Sequence, residues 1–249
     1  MVVDLTPVLR QPGRAVTYAA RRALRPAIIR HFGVRLAVDP AVLSPAIVDS
    51  LYRGGYEAAE VDIIRRTLTP EDRVLEIGGG IGFVAIVAAR TVRRPDAVLI
   101  VEANPRIVPL MRRNFRLNGV WPTVRNVVLG QDGRTEVSFY LHRDFWASSL
   151  TACDDARETM VPQQDVRSVL AEFRPTYVIV DIEGGEIDLF NNLELVGVEK
   201  LCLEIHPTRT GRAAVDELFA SLARQQFVRE GTSRREDVLF FRRHAASHA

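Results

Sequence analysis

The sequence predicts an α/β fold in which a mostly parallel sheet carries helices on both faces. Short apolar runs recur along the chain, and the first of them, 73–77, ends in a cluster of glycines, as buried parallel strands often do. From there to residue 225, helical segments alternate with apolar runs, the pattern of strand–helix–strand units. Two final apolar runs, 227–230 and 237–242, flank a polar turn. They predict a hairpin that adds an antiparallel strand near the C-terminus.

The elements of the sheet follow one another in a regular order. The helix at 105–117 has a proline in its first turn and is followed by Gly119, residues that favour a helix start and a helix end. The other boundaries rest on hydrophobic spacing alone. The predicted strands are 73–77, 97–102, 123–129, 137–141, 177–181 and 200–205, and the predicted helices are 83–92, 105–117, 186–193 and 212–225.

Two helices are predicted before the sheet. The first covers 14–31 and is kinked or stopped near Pro26, because proline cannot continue a helix without loss of a hydrogen bond. The second covers 46–67 and is broken at Gly54-Gly55.

The length of 249 residues fits one large α/β domain with an N-terminal extension. We therefore divide the chain into a helical extension, 1–69, and an α/β domain, 70–249, whose tail, 243–249, is expected to be frayed. Hydrophobic residues make up 47% of the chain and charged residues 26%. This composition is typical of a folded protein and excludes a disordered or collagen-like chain.

Charge is balanced overall but not locally. Lysine and arginine number 33 and the acids 31, which argues against a general nucleic-acid-binding surface. Residues 1–35 contain seven arginines and the single acid Asp4, so the first predicted helix is strongly basic. Either this helix lies on the domain with its arginines in water, or it makes weak contact with a membrane surface. Both interpretations stay open.

No segment predicts a membrane span or a secretion signal. The longest apolar stretch, 81–89, is far shorter than the roughly 20 residues that cross a bilayer, and no apolar core with a cleavage site follows the N-terminus. We expect a cytoplasmic protein and leave open whether it forms a homo-oligomer. Cys153 and Cys202 provide neither a disulfide framework nor a zinc-binding pattern.

The strongest chemical signal is the segment Glu76-Ile-Gly-Gly-Gly-Ile-Gly82 between a strand and a helix. Glycines in such a place allow a tight turn and close approach of the backbone to a ligand at a helix N-terminus. Gly80-x-Gly82-x-x-Ala85 satisfies the dinucleotide fingerprint. The series Glu76-x-Gly78-x-Gly80-x-Gly82 equally suits the nucleoside-binding loop of methyltransferases that use S-adenosylmethionine. The loop alone does not separate the two ligands.

Acidic residues elsewhere favour the second ligand. Glu102 ends the second strand of the sheet and lies 22 residues after Gly80, where a carboxylate can accept hydrogen bonds from both ribose hydroxyls. The strand at 177–181 ends in Asp181, with Glu183 two residues later, and the next strand ends in Glu204-Ile-His206. Open α/β sheets bind ligands at this carboxyl edge, and the dinucleotide hypothesis requires no acids there.

With these elements, the sequence resembles the FkbM-type methyltransferases. The resemblance covers roughly 52–210, and its most specific parts are the Asp-x-Glu-Gly and Glu-x-His elements. The family usually has Asp where Glu76 stands and a Gly-Ala-Asn-like loop at 78–80. The matching elements, in order, are Tyr56-Glu57, Glu76–Gly82, Val101–Pro105, Asn118-Gly119, Val180–Gly184 with Glu186, and Leu203–His206.

The resemblance implies a Rossmann-like, seven-stranded class I methyltransferase fold with S-adenosylmethionine as methyl donor and S-adenosylhomocysteine as product. It implies O-methylation of a hydroxyl on a sugar, glycan or natural product. The alternatives are an NAD(P)-dependent oxidoreductase and a cofactor-binding protein without catalysis. We assign the cofactor site to Tyr56, Glu76, Gly78, Gly79, Gly80, Gly82, Phe83, Glu102, Ala103, Asn104, Val128, Leu129 and Asp181. Val128 and Leu129 are expected beside the adenine.

His206 is the first candidate for the base that takes the proton of the acceptor hydroxyl, because histidine titrates near neutrality. A packing role before Pro207 explains it equally well. Asp181 is expected near the methionine amino group or the methyl group, where a cationic cofactor favours a carboxylate. Glu183 is the alternative base, and Glu204 could orient His206.

A loop before the strand at 177–181 contains Phe145-Trp-Ala-Ser-Ser-Leu150. Aromatic rings and hydroxyls suit a sugar, so Trp146, Ser148 and Ser149 are the candidate substrate residues, with an ordinary surface loop as the alternative. No metal is expected in the site, because Asp181 and Glu204 are the two carboxylates in view and hard cations prefer more oxygen ligands.

Overall fold

A computed structural model describes residues 12–232 and 237–244, with side chains for 15–231 and 237–244. The N-terminal part contains helix α1 (Pro12–Leu24), a hairpin of strands β1 (Ile28–His31) and β2 (Val34–Ala37), and helices α2 (Pro45–Arg53) and α3 (Ala58–Thr67). The described residues include no helix that is both long and apolar enough to cross a membrane.

The predicted seven-stranded sheet is confirmed. Its spatial order is β5-β4-β3-β9-β10-β12-β11, and all neighbours are parallel except those of β12, which runs antiparallel to β10 and β11. The strands are β3 (Val74–Ile77), β4 (Val98–Val101), β5 (Thr123–Arg125), β9 (Tyr177–Val180), β10 (Lys200–Glu204), β11 (Phe227–Thr232) and β12 (Val238–Arg243).

Strand order reverses at β3, which determines where a ligand can bind. The chain leaves β3 toward β4 and β5 on one side and later returns to β9 and β10 on the other. The loops after β3 and β9 therefore diverge to opposite faces and leave a crevice at the carboxyl edge. The central strands β3, β4 and β9 are buried at all four of their positions, which explains why their sequences are continuous apolar runs.

Helices cover both faces of the sheet. One core cluster joins the N-terminal elements to the face covered by α4 (Phe83–Val92) and α5 (Val108–Asn118). The other lies under α6 (Val166–Phe173), α7 (Glu186–Phe190) and α9 (Arg212–Arg224). The short helix α8 (Pro207–Thr210) precedes α9.

A second, three-stranded sheet contains the strand predicted at 137–141, which is confirmed as a strand but does not join the seven-stranded sheet. It has the order β6-β8-β7, with β6 (Val128–Gly130), β7 (Glu136–Leu141) and β8 (Arg157–Asp165). The expected strand at 123–129 was wrong as a single element, because it divides between the two sheets. Strand β8 and helix α6 had not been predicted.

The N-terminal prediction needs correction in part. The first helix ends at Leu24, where Arg25 takes a positive φ of 44° before Pro26, so the predicted stop near Pro26 is confirmed. Residues 28–31, predicted as part of the helix, form β1, and Phe32 and Gly33 turn the chain into β2 with positive φ values of 47° and 79°. The break at Gly54-Gly55 is confirmed. Residues of this extension share a core with the sheet, and the division at residue 69 stays a prediction.

The predicted start of the frayed tail, residue 243, is also too early. Arg243 belongs to β12 and its Nη2 donates to the carbonyl of Leu195 at 2.8 Å. Residues 245–249 lie outside the described part of the chain.

Candidate active site

The glycine loop between β3 and α4 is pressed against the ends of two neighbouring strands. The N–H of Gly78 donates to the carbonyl of Val101 at 2.9 Å. A Cβ on Gly78 would lie 1.8 Å from the carbonyl oxygen of Asp181, and one on Gly79 would lie 2.3 Å from Cγ2 of Ile100. Side chains are therefore excluded at both positions, and the backbone itself forms this wall of the site.

Helix α4 starts directly after the loop, with Gly82 as its N-cap at φ 80°. The ring of Phe83 is fully buried and lies 4.8 Å from the ring of His31. Of the predicted cofactor residues, Phe83 thus places its side chain in the core, and its backbone lies at the helix N-terminus.

Glu102 closes the other side of the loop. Its Oε2 accepts the N–H of Gly80 at 2.7 Å and its Oε1 accepts the N–H of Asn104, also at 2.7 Å. The backbone carbonyls of Glu102 and Ala103 accept hydrogen bonds from the Asn126 amide. Burial raises the pKa of Glu102 to about 7, although the two N–H donors oppose the change. The carboxylate is thus fixed beside the glycine loop, as the sequence predicts.

Tyr56 and Glu57 lie over Gly80. A Cβ on Gly80 would be 2.8 Å from the Tyr56 hydroxyl and 3.2 Å from Glu57 Oε1, and the hydroxyl hydrogen-bonds to the Glu57 carboxyl group. Glu76 is buried within β3, and burial together with the charge of Glu102 raises its pKa well above the usual value. Among the described residues, Oε2 of Glu57 and Oε2 of Glu76 have no hydrogen-bond partner.

Asp181 and Glu204 follow the ends of β9 and β10, as expected for neighbouring parallel strands. Burial raises the pKa of Asp181 well above its usual range, and the charges of Glu60, Glu57 and Glu183 add to the effect, against a hydrogen bond with Glu204. Burial and the charge of Asp181 likewise raise the pKa of Glu204 to about 10. The two strands therefore bring together two carboxyl groups whose charged forms are disfavoured until a cation approaches them.

His206 is held by Glu186, which the sequence analysis did not assign. Oε1 of the fully buried Glu186 lies 2.7 Å from His206 Nδ1 and accepts the backbone N–H of His206 at 3.0 Å. Burial lowers the pKa of His206, but its hydrogen bond to Glu186 and the charges of Glu183, Glu186 and Glu204 outweigh burial, so the pKa is raised. Glu186, at the start of α7, thus orients the ring, the role suggested for Glu204. Its place in the Asp-x-Glu-Gly-x-Glu segment was the available signal.

Glu183 and Glu204 lie on the other side of the same ring. Nε2 of His206 is 3.7 Å from Glu183 Oε2 and 4.0 Å from Glu204 Oε1. Glu183 also pairs with Nη2 of Arg209 at 3.3 Å. Asp181, Glu204 and His206 offer ligand atoms within 4.8 Å of one another, so these three could hold a metal ion.

In the loop proposed for the substrate, the ring that approaches the site is that of Phe145 and not that of Trp146. Phe145 Cε2 would lie 3.4 Å from a Cβ on Gly80, whereas Trp146 packs partly buried on the main core. Ser148 is buried and its Oγ accepts the N–H of His142 at 3.0 Å, and Ser149 Oγ bonds to the backbone of Thr151. The two hydroxyls thus have structural partners, and Phe145 was missed because the sequence does not show which ring turns inward.

Val128 and Leu129, expected beside the adenine, begin strand β6 and are both 7% exposed. Val128 packs in a small cluster with residues of β7 and β8, and Leu129 packs in the core under α6 and α7. Their contact with adenine stays a prediction.

These groups fit S-adenosylmethionine. The cofactor carries a positive sulfonium and a positive ammonium group, and the crevice contains buried carboxyl groups with unpaired oxygens at Glu57 and Glu76. It also carries a ribose diol, and Glu102 offers a carboxylate to such donors at the carboxyl edge of the sheet. Gly80 has no side chain and takes a positive φ of 51°, which suits a backbone that lies against a ligand.

Comparison with known proteins agrees with this class. Residues 55–140 match the sequence model of the protein-L-isoaspartate(D-aspartate) O-methyltransferase family. With the sheet order and the closed glycine loop, this defines an S-adenosylmethionine-dependent class I methyltransferase. The matched segment contains the cofactor half of the site and excludes Asp181, Glu186 and His206, so it does not identify the subtype. None of the curated proteins compared with the chain matches it.

Solved structures of similar arrangement are distant in sequence. A putative O-methyltransferase from Klebsiella pneumoniae is 14% identical, with coverage of 95% of this chain and 100% of its own and a TM-score of 0.46. A ribosomal protein L11 methylase from Lactobacillus delbrueckii is 14% identical over 76% and 80%, with a TM-score of 0.44. The tRNA (uracil-54, C5)-methyltransferase of Pyrococcus abyssi is 15% identical over 87% and 44%, with a TM-score of 0.48.

Proposed function

We propose that this chain is an O-methyltransferase of the FkbM type, which transfers the methyl group of S-adenosylmethionine to a hydroxyl of a sugar, glycan or natural product. The observation that carries the proposal is the His206–Glu186 pair, 2.7 Å apart, at the same edge of the sheet as Asp181 and the glycine loop. Transfer to a hydroxyl, unlike binding of the cofactor, needs a base at that edge.

We assign the proton step to Nε2 of His206. Nδ1 donates its proton to Glu186 Oε1, which leaves the lone pair on Nε2 as the acceptor. Nε2 would take the proton of the acceptor hydroxyl while the bond from sulfur to the methyl carbon breaks, the bond from oxygen to that carbon forms and S-adenosylhomocysteine is released, and Glu186 would stabilise the resulting imidazolium. Glu186 touches neither reactant in this scheme and is a positioning residue.

The remaining residues bind and align. Glu102 receives the ribose hydroxyls, and the backbone of Gly78–Gly82 lies along the methionine portion. Asp181 lies at the methyl end, where its carboxylate is stabilised by the positive charge of the bound donor. The donor supplies an electrophilic methyl carbon on sulfur, so the protein contributes chiefly alignment and removal of one proton.

Titration calorimetry tests the cofactor assignment. S-adenosylhomocysteine should bind, and Glu102→Ala should weaken that binding by about 1.5–3 kcal/mol, the range for hydrogen bonds to a charged group. Glu136→Ala, on β7 and exposed, removes the same side chain outside the site and serves as the control. Binding of NADH without binding of S-adenosylhomocysteine would favour the oxidoreductase instead.

Transfer of a labelled methyl group tests the acceptor class. The panel should hold sugars and glycans with free hydroxyls, an isoaspartyl peptide and a tRNA transcript. We expect label on a hydroxyl and none on the peptide carboxyl group or the nucleic acid. Label confined to the peptide or to the tRNA would refute the proposed acceptor while leaving the methyltransferase class intact.

A further inference from the structure

The backbone at Glu57 is strained in a way that turns its side chain toward the cofactor loop. Glu57 is the N-cap of α3 with φ 45° and ψ 27°, in the left-handed region, yet its side chain caps no helix N–H. Non-glycine residues rarely adopt this conformation, and such positions concentrate at functional sites. Gly54 and Gly55 precede it in the same turn. Glycine would adopt the left-handed conformation without strain, yet the strained position is occupied by a glutamate.

The carboxyl group of Glu57 lies on the Gly80 backbone, opposite Glu102. Its Oε1 is 3.2 Å from the place a Cβ on Gly80 would take, and the N–H of Gly80 points to Glu102 Oε2. The two acids therefore flank one glycine. Glu102 is assigned to the ribose diol, which places Glu57 on the methionine side of the loop.

Glu57 also lacks a charge partner in the described structure around it. Its Oε2 is buried and accepts no hydrogen bond from any described residue. Its ionisable neighbours on the packed elements are the Tyr56 hydroxyl, which hydrogen-bonds to it, and the acids Glu76, Glu60, Glu204 and Asp181. A cation brought next to this carboxylate would relieve repulsion that the fold itself leaves unopposed.

We propose that Glu57 is the ion-pair partner of the α-ammonium group in the methionine portion of the cofactor. The proposal rests on the assigned cofactor and adds one residue and one functional group to it. A carboxylate with one free, buried oxygen suits an ammonium, which offers three N–H donors. The hydroxyl of Tyr56 holds the other side of the carboxyl group and fixes its direction.

Three ligands separate this role from a general effect on the loop. S-adenosylhomocysteine carries the ammonium without the sulfonium, S-adenosylmethionine carries both, and 5′-methylthioadenosine lacks the amino-acid portion altogether. Calorimetry on the full-length protein should show that Glu57→Gln weakens S-adenosylhomocysteine and S-adenosylmethionine about 10- to 100-fold, the effect of a charge-assisted hydrogen bond. Binding of 5′-methylthioadenosine should change by less than about threefold, since it makes no such bond.

Two matched variants test whether a loss of affinity comes from misfolding instead of loss of the carboxylate. Asp62→Asn changes one acid on the exposed face of the same helix and should leave all three affinities unchanged. Glu57→Gly removes the carboxylate and relieves the left-handed strain, so its melting temperature should not fall while S-adenosylhomocysteine binding should weaken as in Glu57→Gln.

The outcomes decide between the alternatives. Equal weakening of all three ligands, or none, would overturn the ammonium assignment, and weakening of S-adenosylmethionine alone would point to the sulfonium. If the wild type bound 5′-methylthioadenosine and S-adenosylhomocysteine equally well, the amino-acid portion would have no site here and the proposal would fail. Failure of the wild type to bind any of the three would instead refute the cofactor assignment itself.

Discussion

Carboxyl groups have opposite surroundings at the two ends of the parallel sheet. At the amino ends of the strands, Asp72 is 4% exposed and Lys200 is 5% exposed. Asp72 accepts hydrogen bonds from Lys200 Nζ at 2.8 Å and from Thr69 and Thr176. At the carboxyl ends, Asp181 and Glu204 instead face each other and further acids, and burial with this repulsion raises the pKa of both.

The acid at the amino ends stabilises the fold, whereas the acids at the carboxyl ends are suited to binding a ligand. An acid whose hydrogen bonds and charge are matched within the chain holds strands β3, β9 and β10 together at one end. Acids that repel one another at the other end destabilise the ligand-free fold and become favourable once a cation binds. Variants at the two ends should therefore change different measured quantities.

The largest effect is expected at the carboxyl edge, on the rate. His206→Ala should lower turnover by about 10²–10⁴-fold, the contribution of a positioned base. The affinity for S-adenosylhomocysteine should hardly change, because His206 is assigned to no part of that ligand. Single-turnover transfer of labelled methyl to the hydroxyl acceptor measures the first quantity and calorimetry the second.

The pH profile provides the control for His206. Because the pKa of His206 is raised and only the neutral ring accepts a proton, the wild-type rate should fall as pH decreases through a value above the usual 6.5. Glu186→Gln removes the main hydrogen-bonding cause and should move this limb to lower pH. Near-normal turnover of His206→Ala, with loss in Asp181→Asn or Glu183→Gln, would identify a carboxylate as the base.

At the amino ends the expected effect is on stability. Lys200→Met leaves Asp72 buried without its cation and should lower the free energy of unfolding by about 3–5 kcal/mol. Denaturant titration measures this, and the affinity for S-adenosylhomocysteine should stay unchanged in the folded variant. The double variant Lys200→Met with Asp72→Asn should recover part of the loss. A weakened affinity in Lys200→Met would show that the two ends are not independent.

A smaller effect is expected from pH on the ligand-free protein. Glu204 holds its proton in the folded chain up to a pKa of about 10 but loses it near 4.3 when unfolded. The folded state thus binds more protons between these values, and stability should fall as pH rises from 5 to 9. One such group contributes at most about 1.4 kcal/mol per pH unit. Urea titrations of wild type and Glu204→Gln should show a flatter dependence in the variant, and identical slopes would contradict the assignment.

The smallest effect is expected from metal removal. Turnover should survive EDTA, since the base and the cofactor contacts proposed here need no ion. Atomic analysis of the purified protein provides a check independent of activity. Complete loss restored by Mg²⁺ would move Asp181, Glu204 and His206 from proton chemistry to metal ligation, for which their spacing is suitable.

The sequence predicts those parts of the fold that are uniformly buried. Strands β3, β4 and β9 are apolar throughout because both faces are covered. Strand β8 was not predicted, because Val161 is its single buried residue and the other positions show no apolar pattern. Strand β1 lies in the segment predicted as the first helix, because a four-residue strand shows too few positions to separate the two periods, and β2 was not predicted.

The same limit applies to the site. Topology alone brings Asp181, Glu204 and His206 to one edge, which the sequence predicts. Side-chain direction decides the rest: Glu186 rather than Glu204 hydrogen-bonds to His206, and Phe145 rather than Trp146 reaches the glycine loop. Neither follows from hydrophobic pattern, because each depends on one rotamer at a loop or helix end.

The two backbone donors that hold Glu102 also set what this acid can select. Gly80 and Asn104 each occupy one oxygen of the carboxylate, so each oxygen retains one acceptor position. Two acceptor positions match the two hydroxyls of an unmodified ribose. A 2′-deoxynucleoside would leave one of them empty, and a 2′-phosphate would place like charge against it. With Glu102 proposed as the ribose acceptor, these two backbone donors predict that the site selects ribose over deoxyribose.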